Sequence, residues 1–435
     1  MTGELPKGWC ECRLEDLCHL ENGEKQQNLN LPLLDAKFLR GRKDAEYRTS
    51  GVILYDNDVV ILVDGENSGE VFTISQQGIM GSTFKKLHFV DRNIISYVLY
   101  CIKSNQALFR TNKKGAAIPH LDKELFKNLS ILLPPLAEQE RIVEKIEELF
   151  SEIDEGIKNL KIAQLQLKQY RQSVLKSAFE GKLTEIWRIN NKCAKNKEIK
   201  EVDGIYSIPD TWVWCKLPSI GNLNRGKSKH RPRDDKRLFG GKYPFVQTGD
   251  IKKASKYLYD YTQTYNDFGL AQSKLWDENT LCITIAANIA ETAILKIKAC
   301  FPDSIVGFVK NEHLYSVELV EYYFRTIKER LAKYAPATAQ KNINLSTLNE
   351  VVFPLAPLPE QERIVEEIEK RFEVTDEMEK AIQESLEDAQ KLKQSILKKT
   401  FSGQLVLQNP DDEPSSVLLE RIKALNSAKH KGKRK

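Results

Sequence analysis

The sequence lacks the features of a membrane or secreted protein. No apolar run approaches the roughly 18 residues that span a bilayer, and the start, Met1-Thr-Gly-Glu-Leu-Pro-Lys7, has no hydrophobic signal core. The 41% hydrophobic and 29% charged residues are typical of a globular chain. We therefore expect a cytoplasmic protein with no membrane partner, whose eight cysteines are reduced thiols.

Motifs of catalysis and of metal binding are also scarce. The chain has only six histidines, and it shows no Ser-His-Asp or His-Glu-x-x-His grouping, no Asn/Asp-Pro-Pro-aromatic motif and no Gly-rich loop for a methyl donor. Cys10-x-Cys12 and Cys18-His19 lack the second ligand pair of a structural zinc site, so ordinary half-buried thiols are favoured. We expect no catalytic residue, metal or cofactor in this chain.

One match to the phosphate-binding loop motif is present. Gly221-Asn-Leu-Asn-Arg-Gly-Lys-Ser228 matches G-x-x-x-x-G-K-S. A working loop needs a buried strand before it and a helix that starts at the Lys-Ser pair. Pro232 would interrupt that helix within its first turns, so ATP binding is the disfavoured interpretation.

The chain contains a long internal duplication. Leu133-Pro-Pro-Leu-Ala-Glu-Gln-Glu-Arg-Ile-Val143 returns as Leu355-Ala-Pro-Leu-Pro-Glu-Gln-Glu-Arg-Ile-Val365, an offset of 222 residues. The same offset carries Gln172-Ser-Val-Leu-Lys-Ser-Ala-Phe-Glu-Gly181 onto Gln394-Ser-Ile-Leu-Lys-Lys-Thr-Phe-Ser-Gly403, with no insertion between them. A match that keeps its length is typical of a rigid spacer.

Apolar spacing predicts that both copies are long helices with a coiled-coil seam. In the first copy one row recurs every seventh residue: Ile146, Ile153, Leu160, Leu167 and Val174. A second row interleaves with it: Ile142, Leu149, Gly156, Ala163 and Tyr170. The less regular seam of the second copy comprises Ile364, Ile368, Met378, Ile382, Ala389, Leu392 and Ile396, with Phe372 and Leu386 off register.

About forty residues at 1.5 Å each give a rod of roughly 60 Å, which needs a packing partner. Gly181 and Gly403 supply left-handed stops, and small residues such as Gly156 permit close approach. We expect the two rods to pack against each other within the chain. The alternative is that each rod pairs with another polypeptide.

Two heads of similar length, residues 1–132 and 208–354, surround the rods at 133–184 and 355–406. Both heads begin alike, with Leu5-Pro-Lys-Gly-Trp9 and Ile208-Pro-Asp-Thr-Trp212, but their middles diverge. Short β-type runs at 51–55, 59–63, 281–285 and 293–297, with helices at 95–103 and 319–333, predict mixed α/β domains. Residues 185–207 are expected to be a solvated linker, and 407–435 a segment ending in a disordered basic tail with a possible nucleic-acid contact.

The second head carries the clearest candidate for an anionic partner. The chain's net charge of +5 is small, so such a partner must bind clustered charge. A Gly/Pro-containing loop concentrates six candidate DNA-binding residues: Arg225, Lys227, Lys229, His230, Arg231 and Arg233. Gln247, Thr248 and Asp250 follow and offer groups able to read base edges. A merely solvated face is the alternative for the loop, and core packing is favoured for the nearby tyrosines.

The first head offers weaker counterparts. Its basic loops contain Arg40, Arg42 and Lys43, and then Arg110, Asn112, Lys113 and Lys114. Asn67 lies at the tip of Asp64-Gly-Glu-Asn-Ser-Gly69, which a plain hairpin explains equally well. All are retained as candidate DNA-binding residues.

Together, these motifs resemble a type I restriction-modification specificity subunit over nearly the whole chain. Pro-Leu-x-Glu-Gln-Glu-Arg-Ile-Val at 135–143 and 357–365 and Gln-Ser-x-Leu-Lys-x-x-Phe-x-Gly at 172–181 and 394–403 carry the resemblance. The phrases at 243–251 and 283–294 read like target-recognition domains, and those at 115–120 and 337–342 lie where such domains return to the rod.

The resemblance implies an α+β fold in which two mixed α/β target-recognition domains are separated by two long helices, packed as an antiparallel coiled coil with pseudo-two-fold symmetry. Each head would bind half of a split, asymmetric site in double-stranded DNA, and the rods would set the gap. Two modification subunits and the restriction subunits would dock on this non-catalytic chain. These partners would use S-adenosylmethionine, ATP and Mg²⁺.

Two rival functions come from other classes. A duplicated coiled-coil chain could be an adaptor whose heads bind peptides, and its binding would then respond weakly to salt, unlike DNA binding. A free-standing methyltransferase would need the motifs that are missing.

Overall fold

The computed structural model describes residues 5–114, 119–192, 205–286, 288–333 and 342–432. The chain divides into two compact units, Met1–Leu160 with Glu384–Lys435, and Lys161–Gln383. Each unit therefore contains one head and a part of both rods. Among the described helices, none combines the length and the apolar character needed to cross a membrane.

The first head is a mixed α/β domain that returns to its own first strand. Its elements are β1 (Cys10–Arg13), α1 (Leu14–Leu17), β2 (Cys18–Glu21), β3 (Lys25–Gln26), β4 (Leu31–Leu34), α2 (Ala36–Leu39), β5 (Tyr47–Arg48), β6 (Gly51–Leu54), β7 (Val59–Leu62), β8 (Val71–Thr73), β9 (Gly78–Met80), β10 (Phe84–Phe89), α3 (Ile95–Ser104), α4 (Gln106–Thr111), α5 (Lys123–Lys127) and β11 (Ser130–Leu133). The predicted strands near 51 and 59 and the helix at 95–103 are confirmed.

The first rod and the second head follow. The elements are α6 (Leu136–Phe179), α7 (Glu185–Asn190), β12 (Val213–Lys216), β13 (Gly221–Arg225), β14 (Phe239–Phe245), α8 (Thr248–Lys253), β15 (Tyr257–Leu258), β16 (Gln263–Tyr265), α9 (Asp267–Ala271), β17 (Leu275–Trp276), β18 (Leu281–Thr284), β19 (Thr292–Leu295), β20 (Ala299–Cys300), β21 (Ile305–Lys310), α10 (Val317–Lys333), α11 (Leu345–Asn349) and β22 (Val352–Leu355). The second rod is α12 (Leu358–Phe401), and α13 (Ser415–Gly432) ends the described chain.

The two heads share one topology although their sequences diverge. One sheet runs β2-β10-β7-β8 in the first head and β13-β21-β18-β19-β15 in the second. The other sheet contains β6-β9-β4-β5 in the first head and β17-β20-β14-β16 in the second, with β3 as an additional strand in the first. In both heads the central pair of this sheet, β9 with β4 and β20 with β14, is parallel. The duplication therefore extends from the rods into the heads.

Both rods are single helices of 44 residues, and the offset of 222 relates their first and last residues. In the first unit, Ile142 and Ile146 near the start of α6 share a core with Ile396 near the end of α12. In the second unit, Val174 and Phe179 near the end of α6 share a core with residues near the start of α12, such as Ile364. The rods therefore pack antiparallel within each unit, as predicted.

The side chains that cross between the rods repeat the 222-residue offset. In the second unit the Arg171 guanidinium lies 5.0 Å from the centre of the Phe372 ring and pairs with Asp376. In the first unit the Lys393 ammonium lies 4.9 Å from the centre of the Phe150 ring and 2.6 Å from Asp154. Each residue of the first set is the copy of one in the second, so the two crossings are equivalent.

Part of the predicted seam is wrong. The row from Ile146 to Val174 is buried or half-buried, but Gly156 and Tyr170 are exposed, and Ile157 and Arg171 take their places. A Cβ added at Gly156 would meet no atom within 4 Å, so this glycine does not serve close approach.

The second rod shows the same kind of shift. Met378 is 49% exposed and Leu392 is 51% exposed, whereas Phe372 is buried and Leu386 half-buried. The reason is that a helix with 3.6 residues per turn drifts from a strict seven-residue repeat.

The Glu-Gln pair that begins each rod is buried and anchors the start of the rod. Trp9 Nε1 donates to Glu138 Oε2 at 3.0 Å, and burial raises the pKa of Glu138. Glu360 accepts from Thr184 Oγ1 at 2.7 Å and from Arg188. Gln139 Nε2 and Gln361 Nε2 each donate at 2.8 Å to a backbone carbonyl that precedes the rod.

Three segments differ from the sequence predictions or lie partly outside the described residues. Residues 185–190 of the predicted linker form α7, and 193–204 lie outside the described residues. The predicted disordered tail is wrong for its first part, because α13 continues to Gly432 and buries Leu418 and Ile422 against the first head. The family phrases at 115–120 and 337–342 fall mostly at positions 115–118 and 334–341, which are not described.

Candidate nucleic-acid interface

A polar cleft of about 760 Å³ opens on the second head. Its walls come from the loop after β13, the ends of β14, the start of α8, β16 and the turn between β20 and β21. The lining residues are Ser228, Arg233, Asp234, Lys236, Phe239, Gly240, Phe245, Gln247, Thr248, Gln263, Pro302 and Ser304. Three of the nine residues predicted for this head, Arg233, Gln247 and Thr248, thus line one concavity.

Two arginines of the basic loop are held by one turn. Arg233 Nη2 donates to both carboxylate oxygens of Asp303, at 2.8 and 2.9 Å. Arg225 Nε donates to the Asp303 backbone carbonyl at 3.0 Å. Arg233 stays 51% exposed, so it presents its remaining N–H donors at the cleft.

Asp235 organises the middle of the loop. Its carboxylate accepts from the Arg237 side chain at 2.7 Å and lies 2.7 Å from His230 Nε2. The hydrogen bonds from Arg237 hold the pKa of Asp235 well below its ordinary value. Arg231 Nη1 is turned back onto the Ser228 carbonyl at 2.7 Å. His230 and Arg231 therefore help to shape the loop.

The lysines of the loop carry charge that the protein does not neutralise. Lys227, Lys229 and Lys236 are exposed, and no described residue forms an ion pair with any of them. Ammonium groups in this state attract a phosphate backbone through long-range electrostatics and counterion release.

Gln247 and Asp250 play different parts in the cap of α8. The buried Asp250 carboxylate accepts from the Gln247 backbone N–H at 2.8 Å, which places it in a capping box. The Gln247 side chain donates to Gln263 Oε1 at 2.7 Å at the edge of the cleft. Thr248 begins the helix beside them. Gln247 and Thr248 thus face the cleft, whereas Asp250 supports it from below.

The aromatic residues of this head divide between core and surface. Phe245 and Tyr265 stack with ring centres 4.0 Å apart, and both are buried. Tyr243 Oη donates to Asp267 at 2.9 Å. Tyr259 and Tyr261 are 59% and 45% exposed, next to the start of β16.

Residues 221–228, which match the phosphate-binding loop motif, do not form such a loop. Gly221–Arg225 is strand β13, and the backbone N–H of Lys227 donates to the Phe301 carbonyl at 3.1 Å instead of opening a helix. A Cβ at Gly226 would lie 2.3 Å from the Pro302 carbonyl oxygen. This glycine therefore permits close backbone packing.

The first head has a cleft of about 970 Å³ at the equivalent place. It lies over the end of β4, the start of α2 and the turn between β9 and β10, which correspond to β14, α8 and the turn after β20. Five cationic residues line it: Lys25, Lys37, Lys43, Arg48 and Lys85. Among the described residues, Lys25 and Lys37 have no ion-pair partner.

Only one of the predicted residues of the first basic loop lines this cleft. Lys43 is there, 2.5 Å from Glu46, and this hydrogen bond raises its pKa. Arg42 is exposed beyond the lining residues. Arg40 instead pairs with Glu70 and lies 6.0 Å from the centre of the Phe72 ring.

The other candidates of the first head form a separate patch. Lys113 pairs with Glu66 at 2.8 Å, next to Asn67 in the hairpin, and Lys114 pairs with Asp122 at 2.9 Å. Asn112 Nδ2 donates to the Leu108 carbonyl at 3.0 Å, where α4 ends. Arg110 contacts Gln106 at 3.5 Å. None of these residues lines the cleft.

The cleft-lining residues that the sequence analysis did not predict are scattered along the chain. Lys25 and Lys37 are isolated lysines, Lys85 has only Lys86 beside it, and Gln263 and Ser304 are polar residues with no basic neighbour. They meet only because strands distant in sequence pair in the sheets. A local cluster of charge was the only signal available, and among the lining cations it marked those of the loop after β13 and Lys43.

A family model now gives the chain a place among known proteins. The model described as type I restriction modification DNA specificity domain matches residues 6–162 and again residues 209–388. The chain belongs to this family. Its two heads are DNA specificity domains, and the resemblance that the duplicated motifs carried is confirmed.

Relatives and solved structures agree with this assignment. The specificity subunit of the type I restriction enzyme EcoDI of Escherichia coli is 25% identical over 98% of this chain and 97% of its own length. The MjaVIII specificity subunit of Methanocaldococcus jannaschii is 26% identical, over 93% and 95%. The chain is, like them, a DNA-specificity component and not a catalytic one.

Two solved chains share the fold of this specificity chain. A chain of a type I R-M system, solved in work on its assembly and conformational transition, matches with a TM-score of 0.70 and 18% identity over 93% of this chain and 100% of its own. The HsdS subunit from Thermoanaerobacter tengcongensis matches with a TM-score of 0.50 and 18% identity, over 93% and 99%.

Proposed function

We propose that the chain reads a bipartite, asymmetric site in double-stranded DNA, one half with each cleft. The rods hold the two readers and set the number of unspecified base pairs between the halves. The chain itself contributes recognition and no chemistry.

The observation that carries this proposal is the equivalence of the two clefts. Both lie over the same strand-helix junction and the same turn of a shared topology, yet their linings differ. The first is rich in lysine, whereas the second offers Gln247, Gln263 and Arg233 with aromatic walls. One scaffold with two different linings is what recognition of two different half-sequences requires.

We assign the polar residues to two kinds of contact. Lys25, Lys37, Lys227, Lys229 and Lys236 would bind phosphates, because an ammonium is a point charge without directional preference. Arg233, Gln247 and Gln263 would read base edges, because guanidinium and amide groups make paired hydrogen bonds to guanine and adenine. Asp250 is left out of the contact set, since its carboxylate is used in the helix cap.

The partners follow from the family. We expect two modification subunits and the restriction subunits to dock on the rods and heads, and S-adenosylmethionine, ATP and Mg²⁺ to be bound by them. Exposed apolar side chains on α6, among them Ile162 and Leu165, offer contact area of the kind that protein interfaces use.

The test is a footprint of the assembled modification complex on its methylation site, found by sequencing modified adenines in the host. The double variant Arg233→Gln/Lys236→Gln should lose protection of one half-site, with a decrease in affinity of at least about tenfold. The variant Lys25→Gln/Lys37→Gln should weaken protection of the other half. Both should reduce the salt dependence of binding.

Lys242→Gln is the matched control, because Lys242 is an exposed cation on β14 that does not line the cleft. It should leave both half-sites protected. Equal loss of both halves in either double variant would contradict the assignment of one cleft to one half. Binding that is insensitive to salt would favour an adaptor with peptide-binding heads.

A further inference from the structure

Two histidines and a glutamate lie together on one face of the first head. Cys18, the neighbour of one of these histidines in the chain, is on the other face. β2 and β10 are antiparallel, and His19 lies directly opposite His88. Glu21 is two residues after His19, so it points to the same face of the sheet. Cys18 alternates to the other face and is buried.

The donor atoms are close enough to share one ion. One nitrogen of each imidazole and one Glu21 oxygen all lie within 4.8 Å of one another. Ligands of a tetrahedral zinc ion at about 2.0–2.2 Å from the metal are roughly 3.3 Å apart. Small side-chain rotations close this difference, since the strand register already fixes the three Cα positions.

The surroundings give the cluster a firm base and an open side. Leu87 and Phe89 of β10 are buried on the opposite face and hold the strand in the core of the head. Lys86, which faces Glu21 across the strands, places its ammonium 2.7 Å from Asp58. All three donors are half-buried, which leaves room for water or a further ligand.

We propose that His19, Glu21 and His88 bind a divalent transition-metal ion, zinc above all, which clasps β2 to β10. Two imidazoles and one carboxylate suit zinc and its neighbours in the first transition row. They do not suit calcium or magnesium, which take oxygen ligands. Within the described part of the chain, no other group of three such side chains comes together.

The clasp has a structural consequence for the first head. β2 is the edge strand of its sheet and is held by β10 alone on that side. The residues after it, Asn22, Gly23 and Lys25, line the cleft of this head. An ion on the three side chains would cross-link the edge strand and reduce its local opening.

The experiment titrates the full-length chain, freed of metal by a chelator, with zinc alone. Wild type should bind one equivalent more than His19→Ala/His88→Ala, measured by equilibrium dialysis and metal analysis. Glu21→Gln, which keeps size and polarity, should bind at least about 10- to 100-fold more weakly, the range seen when a supporting partner of a metal ligand is lost. Zinc should also slow hydrogen exchange of the β2 amides in wild type but not in His19→Ala/His88→Ala.

Two controls separate this site from others. His313→Ala removes an exposed histidine that also lies near a glutamate, Glu312, at 3.9 Å, and it should bind as wild type does. Cys10→Ser/Cys12→Ser tests thiol ligation, and cobalt-loaded wild type should show no thiolate charge-transfer absorption. Equal stoichiometry in the double histidine variant, or loss of the ion in the cysteine variant, overturns the proposal.

Discussion

At the residue scale, the Glu-Gln pair at the start of each rod explains why the same motif is found in both copies. The sequence predicts acidic residues favourably placed at a helix start. The structure adds that these side chains are buried and tie the rod to the head that precedes it or to the segment after the other rod. The glutamates have different partners, because one meets the Trp9 indole and the other Thr184 and Arg188.

This difference predicts unequal effects of two equivalent substitutions. Trp9→Phe removes the donor to Glu138 and should lower the free energy of unfolding by about 1.5–3 kcal/mol, because a buried carboxylate loses a hydrogen bond. Trp212→Phe is the matched control for lost volume, since Trp212 Nε1 has no hydrogen-bond partner in the described structure. Urea unfolding of the full chain, followed by circular dichroism, measures both.

The same pair of variants gives a pH dependence. Burial raises the pKa of Glu138, so the folded state holds this proton more tightly than the unfolded chain does. Its contribution to stability is therefore lost as the pH rises through the raised pKa. Loss of the Trp9 donor raises that pKa further, so the deficit of Trp9→Phe should be larger at about pH 8 than at about pH 5. A deficit that is equal at both pH values would show that the carboxyl of Glu138 does not change its protonation state between them.

At the scale of elements, the rods are the part of the structure that the sequence predicts best. Their existence, their length and their left-handed stops are confirmed, with φ of +71° at Gly181 and +69° at Gly403. The seam was predicted less well, because Tyr170 and Met378 satisfy a seven-residue count but not the true helical angle. Arg171 was missed because a charged residue in a seam gives no apolar signal.

At the two equivalent crossings between the rods, we expect the contact of the cation with the aromatic ring to contribute more to stability than the ion pair does. Arg171 is 19% exposed over the Phe372 ring, whereas its partner Asp376 is 67% exposed. Arg171→Met should therefore lower the free energy of unfolding by about 1–2 kcal/mol, and Asp376→Asn by about 0.5 kcal/mol or less. Urea unfolding with hydrogen exchange of α12 amides would locate the loss.

The first unit repeats this experiment within the same chain. Lys393→Met and Asp154→Asn should rank in the same order, because Asp154 is 64% exposed and Lys393 only 25%. If the aspartate variants lower the free energy of unfolding as much as the variants at Arg171 and Lys393 do, the ion pair and not the aromatic ring is the main source of stability at these crossings.

At the scale of the whole molecule, the heads show the limit of sequence reasoning. Short strands and the two longer helices were predictable from local pattern, but the sheet order was not, since β2 pairs with β10 across nearly seventy residues of chain. The clefts depend on that order. This is why the local cluster after β13 was found while Lys25, Lys37 and Lys85 were not.

The equal length of the rods carries the last prediction. Seven residues duplicated in both rods, after Leu160 in α6 and after Ile382 in α12, keep the seam in phase and the two copies equal. The added rise is about 10.5 Å, or roughly three base pairs of duplex. The preferred gap between half-sites should grow by about that number while the half-site sequences stay the same, as read by sequencing methylated adenines. The same insertion in α6 alone makes the rods unequal and should abolish methylation instead of shifting the gap. A gap that stays the same with both rods lengthened would show that the rods do not set the spacing.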